Sequence, residues 1–412
     1  MRTYVSFDDA RRLVLEDLPR QPAECVGLSD AQDRVLVQDV RSPEEVPAFD
    51  NSAMDGFAAR AEDLGTPPTH LRIVEEVPAG QAPETEIVSG TCAEIMTGAP
   101  LPDGANTVVP VEEAERIDDD HVRLQEAPAK GTHVRQAAMD IEEDQLLFEA
   151  GTRITPPVVG LLAMLGIDEV RVSSRPQVAV VATGDELVDF TETPGPGKIR
   201  DVNTPTLTAQ IRAAGATPGP LLHVEDDEAA LREAVGAALD ADLVLMAGGM
   251  SAGQYDHVRP VLRAMDMTWS FWRVRQRPGR PFGFGTLRDT PVVGLPGNPT
   301  TASVCFEIHV RPALATMVGL EPATPPRLPA SLQAPVQKPA GLHHFARGVA
   351  TTDDGGQLQA RVQGPQSSGF FAPMARANCL IHLPESMEDP SSGTPVDIEW
   401  LSWARPSARS LS

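Results

Sequence analysis

Three short apolar segments, each followed at once by a polar or glycine-rich loop, constrain the fold more than any other feature of this sequence. They are V-A-V-V-A-T before G-D-E-L, D-L-V-L-M-A before G-G-M-S-A-G, and P-V-V-G-L before P-G-N-P, and each leads toward a predicted helix. Strands that are apolar along their whole length are typical of a parallel sheet covered on both faces. Because ligands bind outside the carboxyl ends of such strands, the three loops are expected to converge on one site.

The sequence predicts a multidomain α/β plus β protein, because 412 residues are too many for one hydrophobic core. Residues 1–45 and 146–175 form a predicted helical N-terminal and linker domain, and residues 46–145 a small β-rich domain. Residues 176–325 form a three-layer α/β domain with a mostly parallel sheet. Residues 326–412, after a proline-rich linker, are predicted to form a C-terminal β-barrel.

Composition excludes several functional classes. A net charge of -24 disfavours binding to nucleic acid or to anionic lipid, both of which need a basic surface. No apolar run approaches the roughly 20 residues of a membrane span, and the N-terminus lacks the apolar core of a signal peptide. The four cysteines are widely spaced and indicate neither a disulfide framework nor a zinc site. A cytoplasmic location is expected.

The loop G-G-M-S-A-G-Q-Y-D predicts an anion site, with a tight structural turn as the alternative. Gly248, Gly249 and Gly253 allow backbone amides to approach an anion closely, and Ser251 can donate a hydroxyl. Asp256 would repel a phosphate unless a divalent cation lay between them. The loop therefore indicates a magnesium ion beside a phosphate group.

Further carboxylates follow neighbouring strands. Asp185 and Glu186 lie in T-G-D-E-L, and Asp226 and Asp227 lie in H-V-E-D-D-E. Each pair could simply cap the next helix. Since hard carboxylates from adjacent strand ends commonly hold magnesium against a substrate phosphate, proximity to Asp256 favours a metal site.

The loops R-P-G-R-P and L-P-G-N-P supply the positive and rigid parts of the predicted pocket. Arg277 and Arg280 flank a Pro-Gly turn, and their guanidinium groups suit phosphate or molybdate oxygens. A solvated basic strand is the alternative. Pro296, Asn298 and Pro299 can shape a pocket wall.

Two loops of the β-rich domain are also candidates. P-A-F-D-N-S-A-M-D-G-F carries several polar groups, including Asp55, and alone would be a capped turn. In T-G-A-P-L-P-D-G-A, Thr97 and Gly98 offer hydroxyl and amide donors. The nine histidines form no catalytic signature with a serine or cysteine, and they are expected at the surface or in packed positions. The carboxylates and anion loops therefore indicate phosphoryl or nucleotidyl chemistry.

Six motifs, taken in order, resemble the molybdopterin molybdenumtransferase family of the MoeA type, which includes the E domain of gephyrin. They are P-A-F-D-N-S-A-M-D-G-F, I-M-T-G-A-P-L-P-D-G-A, T-G-D-E-L, G-G-M-S-A-G-Q-Y-D, R-P-G-R-P-F and G-L-P-G-N-P. The resemblance implies a reaction in which adenylated molybdopterin and molybdate give molybdenum cofactor and AMP, with Mg²⁺ required.

The resemblance also assigns roles by motif position. The family's functional acids fall on Asp55, Glu186, Asp226 and Asp256, with Glu186 and Asp256 expected to bind magnesium or substrate phosphate. Asp55 and Asp226 are expected in positioning or proton transfer. The resemblance places Thr97, Arg277, Arg280, Pro296, Pro299 and Ser368 at the substrate. The loops themselves add the substrate-binding candidates Gly98, Asp185, Gly248, Gly249, Ser251, Gly253 and Asn298. R-P-G-R-P departs from the family's K-P-G-K-P, which puts the geometry of oxyanion binding in doubt.

The resemblance further implies an elongated homodimer whose cleft combines the α/β domain of one subunit with the β-rich domain of the other. It implies contacts with the adenylyltransferase that supplies the substrate and with the molybdoenzymes that receive the cofactor. Two other functions stay open: an adenylyltransferase-like enzyme, which the additional domains disfavour, and a non-catalytic gephyrin-like scaffold, which the presence of all four acids disfavours.

Overall fold

The computed structural model describes residues 2–16, 18–250, 257–321 and 324–404. The candidates Ser251, Gly253 and Asp256 lie outside these residues. The helices of the described chain are α1 (Phe7–Glu16), α2 (Leu28–Ala31), α3 (Pro156–Met164), α4 (Asn203–Ala213), α5 (Glu228–Ala238), α6 (Val258–Ala264), α7 (Pro299–Cys305), α8 (Arg311–Met317) and α9 (Ala372–Arg376). None of the described helices has the length and apolar composition that a membrane span requires.

The strands are β1 (Arg2–Val5), β2 (Ala23–Gly27), β3 (Val40–Arg41), β4 (Asn51–Ser52), β5 (Gly56–Ala59), β6 (Thr69–Val77), β7 (Thr91–Ile95), β8 (Thr107–Pro110), β9 (Ala114–Arg116), β10 (His121–Leu124), β11 (Val134–Arg135), β12 (Leu146–Phe148), β13 (Glu169–Ser173), β14 (Gln177–Thr183), β15 (Leu187–Val188), β16 (Ile199–Arg200), β17 (Thr217–Val224), β18 (Leu243–Ala247), β19 (Thr268–Val274), β20 (Gln276–Arg277), β21 (Gly283–Leu287), β22 (Thr290–Leu295), β23 (Leu328–Leu332), β24 (His343–Thr352), β25 (Leu358–Val362), β26 (Cys379–Leu383) and β27 (Pro395–Trp400).

The predicted parallel sheet is present and has the order β1-β19-β21-β22-β18-β14-β17. The three apolar segments form the adjacent parallel strands β14, β18 and β22. Their residues contribute to two buried clusters, one containing Val180, Leu245 and Val293 and the other containing Val181 and Val244. A sheet buried on both faces explains why these strands carry no polar alternation. Their carboxyl ends therefore share one edge of the sheet.

The N-terminus contributes one strand that the sequence analysis missed. β1 pairs in parallel with β19 at the edge of the sheet, although R-T-Y-V lacks a buried pattern and is mostly exposed. The predicted first helix follows as α1, with the Ser6 hydroxyl accepting a hydrogen bond from the Asp9 amide at 3.1 Å. Ser6 thereby satisfies one of the free amides of the first turn.

The expectation that T-G-D-E-L leads directly into a helix is wrong. After Gly184 the chain forms β15, then a long loop, and then β16, which pairs with β15 in parallel. α4 begins only at Asn203. Asp185 and Glu186 therefore do not cap the helix that was expected to follow β14, and they lie just after the carboxyl end of that strand.

The β-rich region forms a six-stranded sheet in the order β8-β5-β7-β6-β10-β9. Its two faces bury separate clusters, one around Phe57 and Leu71 and the other around Ile87 and Ile95. β4, which carries Asn51 and Ser52 of the P-A-F-D-N-S loop, pairs with β11.

The C-terminal region forms the predicted barrel. β24, β25, β23, β27 and β26 pair in sequence, and a further β24–β26 pairing closes the ring. β20, which holds the start of the R-P-G-R-P loop, pairs in parallel with β24. This pairing joins the basic loop of the α/β region directly to the barrel.

The chain divides into two compact units. The first comprises residues 1–38, 150–159 and 169–412, and the second comprises residues 39–149 and 160–168. The first unit contains the α/β sheet, the barrel and the pair β2–β13. The second contains the β-rich sheet and the pair β3–β12. The four-domain division with its boundaries stays a prediction.

Candidate functional site

The carboxyl edge of the parallel sheet lines a cavity of about 360 Å³. Its walls come from the ends of β14, β18 and β22, together with the segments after β17 and before α4. The predicted site residues among those that line it are Glu186, Asp226, Gly248, Gly249, Pro296 and Pro299. The structure thus brings four separate sequence motifs into one pocket, which we call the carboxylate cavity.

Gly248 and Gly249 have backbone conformations and surroundings that require glycine. Their φ angles are 113° and 61°, which disfavour any other residue. A Cβ on Gly249 would lie 2.1 Å from Cγ2 of Val258, and one on Gly248 would lie 2.7 Å from the carbonyl oxygen of Thr183. The turn after β18 can therefore pack closely against β14 only because these residues lack side chains.

The acids around this cavity have different structural tasks. Asp227 is the N-cap of α5 and accepts hydrogen bonds from the amides of Ala229 and Ala230, as the capping alternative predicted. Oδ1 of Asp185 accepts the Asp226 amide at 2.9 Å and so fixes the turn that precedes α5. The Asp226 and Glu186 side chains, in contrast, cap no helix and form no ion pair within the described chain, and both line the cavity.

Among these acids, Asp226 is the one whose charged form is disfavoured by its surroundings. Its partial burial raises the pKa of its carboxyl above the ordinary value of 3.8, and the nearby charges of Asp185 and Glu186 raise it further. A hydrogen bond that the Asp226 carboxylate accepts from the Asp185 backbone amide, and the neighbouring His257, oppose this rise only in part. A carboxyl group whose pKa is raised is suited to proton transfer.

Two further cavity residues carry buried polar atoms without a protein partner. Oγ1 of Thr183 and Oδ1 of Asn203 are both buried and make no hydrogen bond within the described residues. Nδ2 of Asn203 donates to the Gly297 carbonyl at 2.7 Å, and both residues line the cavity. Buried polar atoms are normally satisfied, so these two atoms indicate ligand contacts. The sequence analysis missed Asn203; its place at the start of α4, just after the T-G-D-E-L excursion, was the available signal.

A second cavity of about 430 Å³ adjoins the first, and Pro281 and Pro296 line both. We call it the arginine cavity. It gathers the candidates Arg277, Arg280, Asn298 and Ser368. Arg277 and Arg280 are exposed and have no carboxylate partner in the described chain. Asn298 also caps α7 by accepting the Thr301 amide at 3.4 Å, so its side chain has a structural task.

A buried network supports the R-P-G-R-P loop. Gln276 is 1% exposed, and its side-chain amide donates to the Gly279 carbonyl at 3.3 Å. Its Oε1 lies 2.9 Å from Nε2 of His309. Burial holds the pKa of His309 well below its usual range, so the imidazole is neutral and Nε2–H donates. These contacts fix the backbone between the two exposed arginines.

Arg347 holds the opposite wall of the arginine cavity and was not among the predicted residues. Its guanidinium, 1% exposed, donates to the carbonyls of Phe370, Pro365 and Ser367 at 3.0, 2.8 and 3.3 Å. Each bond ends on the loop that carries Ser368. An arginine inside the apolar β24 sequence H-H-F-A-R-G-V-A was the signal that could have identified it.

The second compact unit contains the remaining candidates. Oδ1 of Asp55 accepts hydrogen bonds from both the amide and the hydroxyl of Thr97, each at 2.7 Å. These bonds lower the pKa of Asp55, so its carboxylate stays ionised. The amide of Gly98 donates to the Ser52 carbonyl at 2.8 Å and is not a free donor. Thr97 and Gly98 therefore connect the T-G-A-P-L-P-D-G-A loop to the loop that carries Ser52 and Asp55.

Within the described residues, no cluster of three or more histidine, cysteine or carboxylate side chains could alone enclose a metal ion. Glu186, one of the two predicted metal ligands, lines the carboxylate cavity, and the other, Asp256, lies outside the described residues. Carboxylate oxygens are the ligand type that Mg²⁺ takes, with phosphate oxygens and water completing its octahedral shell.

Comparison with known proteins places the whole chain. Three family models match it: "MoeA N-terminal region (domain I and II)" over residues 5–166, "Probable molybdopterin binding domain" over 179–316, and "MoeA C-terminal region (domain IV)" over 329–401. Molybdopterin molybdenumtransferase 2 of Mycobacterium tuberculosis is 36% identical, covering 95% of this chain and 98% of its own length. The molybdopterin molybdenumtransferase of Haemophilus influenzae is 34% identical, with 96% and 98% covered.

A crystal structure of the molybdopterin biosynthesis MoeA protein from Pyrococcus horikoshii superposes with a TM-score of 0.83 at 28% identity. It covers 97% of this chain and 100% of its own. The likeness extends over all parts of the described fold, and it confirms the fold class expected from the sequence.

Proposed function

The chain belongs to the molybdopterin molybdenumtransferase family of the MoeA type, and from this premise we propose how its own residues carry out the transfer. The enzyme acts on molybdopterin and molybdate in the synthesis of molybdenum cofactor. The finer proposal is that the molybdopterin arrives adenylated, that Mg²⁺ is required, and that AMP leaves.

The observation that carries this proposal is the pair of adjoining cavities with opposite charge. The carboxylate cavity offers acids and glycine turns, and the arginine cavity offers two unpaired guanidinium groups. A substrate that joins a pyrophosphate to a pterin, with an oxyanion to be inserted, needs both environments side by side. Pro281 and Pro296 form the shared wall at which the two halves of the substrate would meet.

In the carboxylate cavity, we assign the pyrophosphate to the turn at Gly248 and Gly249, where the backbone can approach phosphate oxygens closely. We also assign hydrogen bonds with the nucleotide to Oγ1 of Thr183 and Oδ1 of Asn203, because both atoms are buried without a partner in the described residues. Asp226, whose pKa is raised, is the group best suited to move a proton to or from the cleaved phosphate bond.

Glu186 would hold Mg²⁺, with Asp256 assigned to the same role from its motif. When bound, the cation neutralises charge on the phosphate oxygens during cleavage. Asp185 is a positioning residue, since its carboxylate holds the Asp226 amide. In the arginine cavity, Arg277, Arg280 and Ser368 would bind molybdate oxygens, and Arg347 would position Ser368 by holding its loop.

The test supplies adenylated molybdopterin, molybdate and Mg²⁺ and follows AMP release and the reconstitution of a cofactor-free molybdoenzyme. Glu186→Gln is expected to reduce AMP release about 100-fold or more, because one carboxylate of the proposed cation site is lost. Glu192→Gln is the matched control, since Glu192 is an exposed acid on the loop between β15 and β16 that lines neither cavity. Equal rates for the two variants would remove Glu186 from the reaction.

We further propose that the enzyme is a homodimer whose cleft receives Asp55 from the partner subunit. The loop that carries Asp55 also exposes two large apolar side chains, Phe49 at 47% and Met54 at 38%. Apolar side chains beside a hydrogen-bonded carboxylate suit a surface that another protein chain covers.

Subunit complementation tests this arrangement. Asp55→Asn and Asp226→Asn are each expected to be inactive alone, and a mixture reassembled from both should recover activity. If each cleft uses one residue from each subunit, half of the dimers contain one intact cleft, so about a quarter of wild-type activity returns. No recovery from a mixture that demonstrably contains mixed dimers would place both acids in clefts of a single chain.

A further inference from the structure

A third concavity of about 400 Å³ lies away from both cavities of the proposed reaction and collects five arginines. They are Arg34, Arg153, Arg175, Arg212 and Arg311. None of them belongs to a motif singled out from the sequence, and none lines the other two cavities. We call this concavity the five-arginine pocket.

The charge balance of the five-arginine pocket is positive although the chain as a whole carries -24. Glu24 pairs with Arg34, Asp33 with Arg153 at 2.8 Å, and Glu307 with Arg311 at 2.8 Å. Five guanidinium groups thus meet three carboxylates, which leaves two positive charges without a partner. In so acidic a protein, a local excess of positive charge is a feature that needs a cause.

The two unpaired groups are Arg175 and Arg212, which make no hydrogen bond or ion pair within the described residues. Arg212 lies in the last turn of α4, where a cation also complements the helix dipole. That explanation does not apply to Arg175, which lies in the link between β13 and β14 and ends no helix. Helix capping alone therefore does not account for the cluster.

Arg34 gives the pocket a buried, directed donor. The residue is 7% exposed, and its Nη2 donates to the Ser173 carbonyl at 2.7 Å and also contacts Glu24. Its Nε and Nη1 have no hydrogen-bond acceptor within the described chain. A guanidinium anchored at one nitrogen, with its remaining N–H groups free at a cavity wall, is arranged to bind an anion.

We propose that the five-arginine pocket binds a tetrahedral oxyanion, either free or as the phosphate group of a small phosphate ester. Guanidinium forks match the oxygens of phosphate in geometry and in charge. The concave shape and the buried Arg34 favour a small ligand over an acidic protein segment, which would need a wider and shallower surface. The ligand would link the 33–35 segment, the β13–β14 link and the end of α4, and would thereby stabilise the first compact unit.

The experiment measures binding of inorganic phosphate, and separately of glycerol 3-phosphate, to the full-length protein by calorimetry and by thermal unfolding at low ionic strength. Phosphate is expected to raise the Tm progressively with its concentration, as binding to the folded state requires. Arg175→Gln and Arg212→Gln should each weaken binding about tenfold or more, because each removes a charge-assisted donor. Arg232→Gln, which removes an exposed arginine of α5 outside the pocket, should bind as the wild type does.

The arginine cavity of the proposed reaction could also bind phosphate, so Arg277→Gln/Arg280→Gln is tested in parallel. That variant should retain the binding event that Arg175→Gln removes. Tighter binding of glycerol 3-phosphate than of phosphate would assign the pocket to a phosphate ester, and equal affinity would assign it to the free oxyanion. Undiminished phosphate binding in the Arg175→Gln/Arg212→Gln double variant would overturn the proposal, as would binding of a hexaglutamate peptide in the absence of any phosphate binding.

Discussion

Asp55 and Asp226 are the same residue type in opposite environments. Asp55, in the second compact unit, accepts two hydrogen bonds from Thr97, and these lower the pKa of its carboxyl. Asp226, in the first unit, is partly buried beside Asp185 and Glu186, and its pKa is raised. The local structure therefore stabilises one charge and opposes the other. A carboxylate whose charge the local structure stabilises is suited to positioning, whereas one whose charge is opposed by burial and neighbouring acids is suited to proton transfer.

The largest loss of activity is expected when Asp226, the acid with the raised pKa, is replaced by a neutral residue. Asp226→Asn should reduce AMP release about 100- to 10,000-fold, the usual contribution of a general acid or base. The same change should raise the Tm at neutral pH, because a carboxyl whose folded pKa is raised destabilises the fold once it is charged. Asp55→Asn should lower both activity and Tm. If Asp226→Asn lowered the Tm as well, the contrast between the two acids would be lost.

The two units should also differ in their response to acid. Burial lowers the pKa of His343 to about 3 and of His344 to about 4, whereas His70 and His121 of the second unit are exposed. A histidine whose folded pKa lies below its unfolded pKa stabilises the fold fully above about pH 6.5 and progressively loses that contribution below it. The loss is about 1.4 kcal/mol per pH unit for each such histidine.

Hydrogen exchange at pH 7 and pH 5 checks this expectation. Between these values, protection should fall in the barrel and the α/β sheet and change little in the β-rich sheet. His344→Gln should reduce the pH dependence of the first unit, while His121→Gln serves as the control for an exposed ring. Equal acid sensitivity in both units would contradict the burial argument.

Glycine substitution compares the turns of the two regions. Gly249→Ala combines an unfavourable φ with a clash against Val258 and should cost about 2 kcal/mol or more in the free energy of unfolding. Gly98→Ala has an unfavourable φ of 83° but no atom within 4 Å of the new Cβ, so it should cost about 1 kcal/mol. Urea unfolding of both variants measures the difference. If Gly98→Ala lost more unfolding free energy than Gly249→Ala, the clash with Val258 would not explain the difference between the two turns.

The smallest effect is expected when Asp55 loses one of its two hydrogen bonds from Thr97. Thr97→Val removes one of the two hydrogen bonds to Oδ1 while keeping the amide, so the pKa of Asp55 should rise part of the way to its ordinary value. The acid limb of kcat/KM against pH should move to higher pH, with little change at neutral pH. Thr85→Val, at an exposed threonine whose hydroxyl makes no hydrogen bond within the described chain, is the control. An unmoved acid limb would exclude Asp55 from the essential ionisations.

The comparison also shows which features the sequence could predict. β14, β18 and β22 were predictable because strands buried on both faces are apolar throughout. The β15–β16 pair was not, since G-D-E-L looks like a helix start and only tertiary context keeps it extended. β1 was missed because an exposed edge strand has no apolar pattern.

Side-chain roles were less predictable than loops. From the sequence, either Asp226 or Asp227 could cap the next helix or line the cavity. The position at which α5 begins assigns the cap to Asp227 and leaves Asp226 at the cavity. Asn203 and Arg347 matter through buried contacts distant in sequence, with Gly297 and with the Ser368 loop, so their local sequence can mark them as unusual but cannot predict those contacts. The histidines of β24 were expected at the surface or in packing, and they are buried.

The contrast between Asp55 and Asp226 is tested most directly by measuring both carboxyl pKa values in one protein. Carboxyl-¹³C NMR of aspartate-labelled enzyme would follow each resonance through a pH titration, with assignments from Asp55→Asn and Asp226→Asn. We expect Asp55 to titrate below the ordinary value of 3.8 and Asp226 above it. Coincident titrations, or Asp226 titrating below Asp55, would contradict the assignment of chemistry to one acid and positioning to the other.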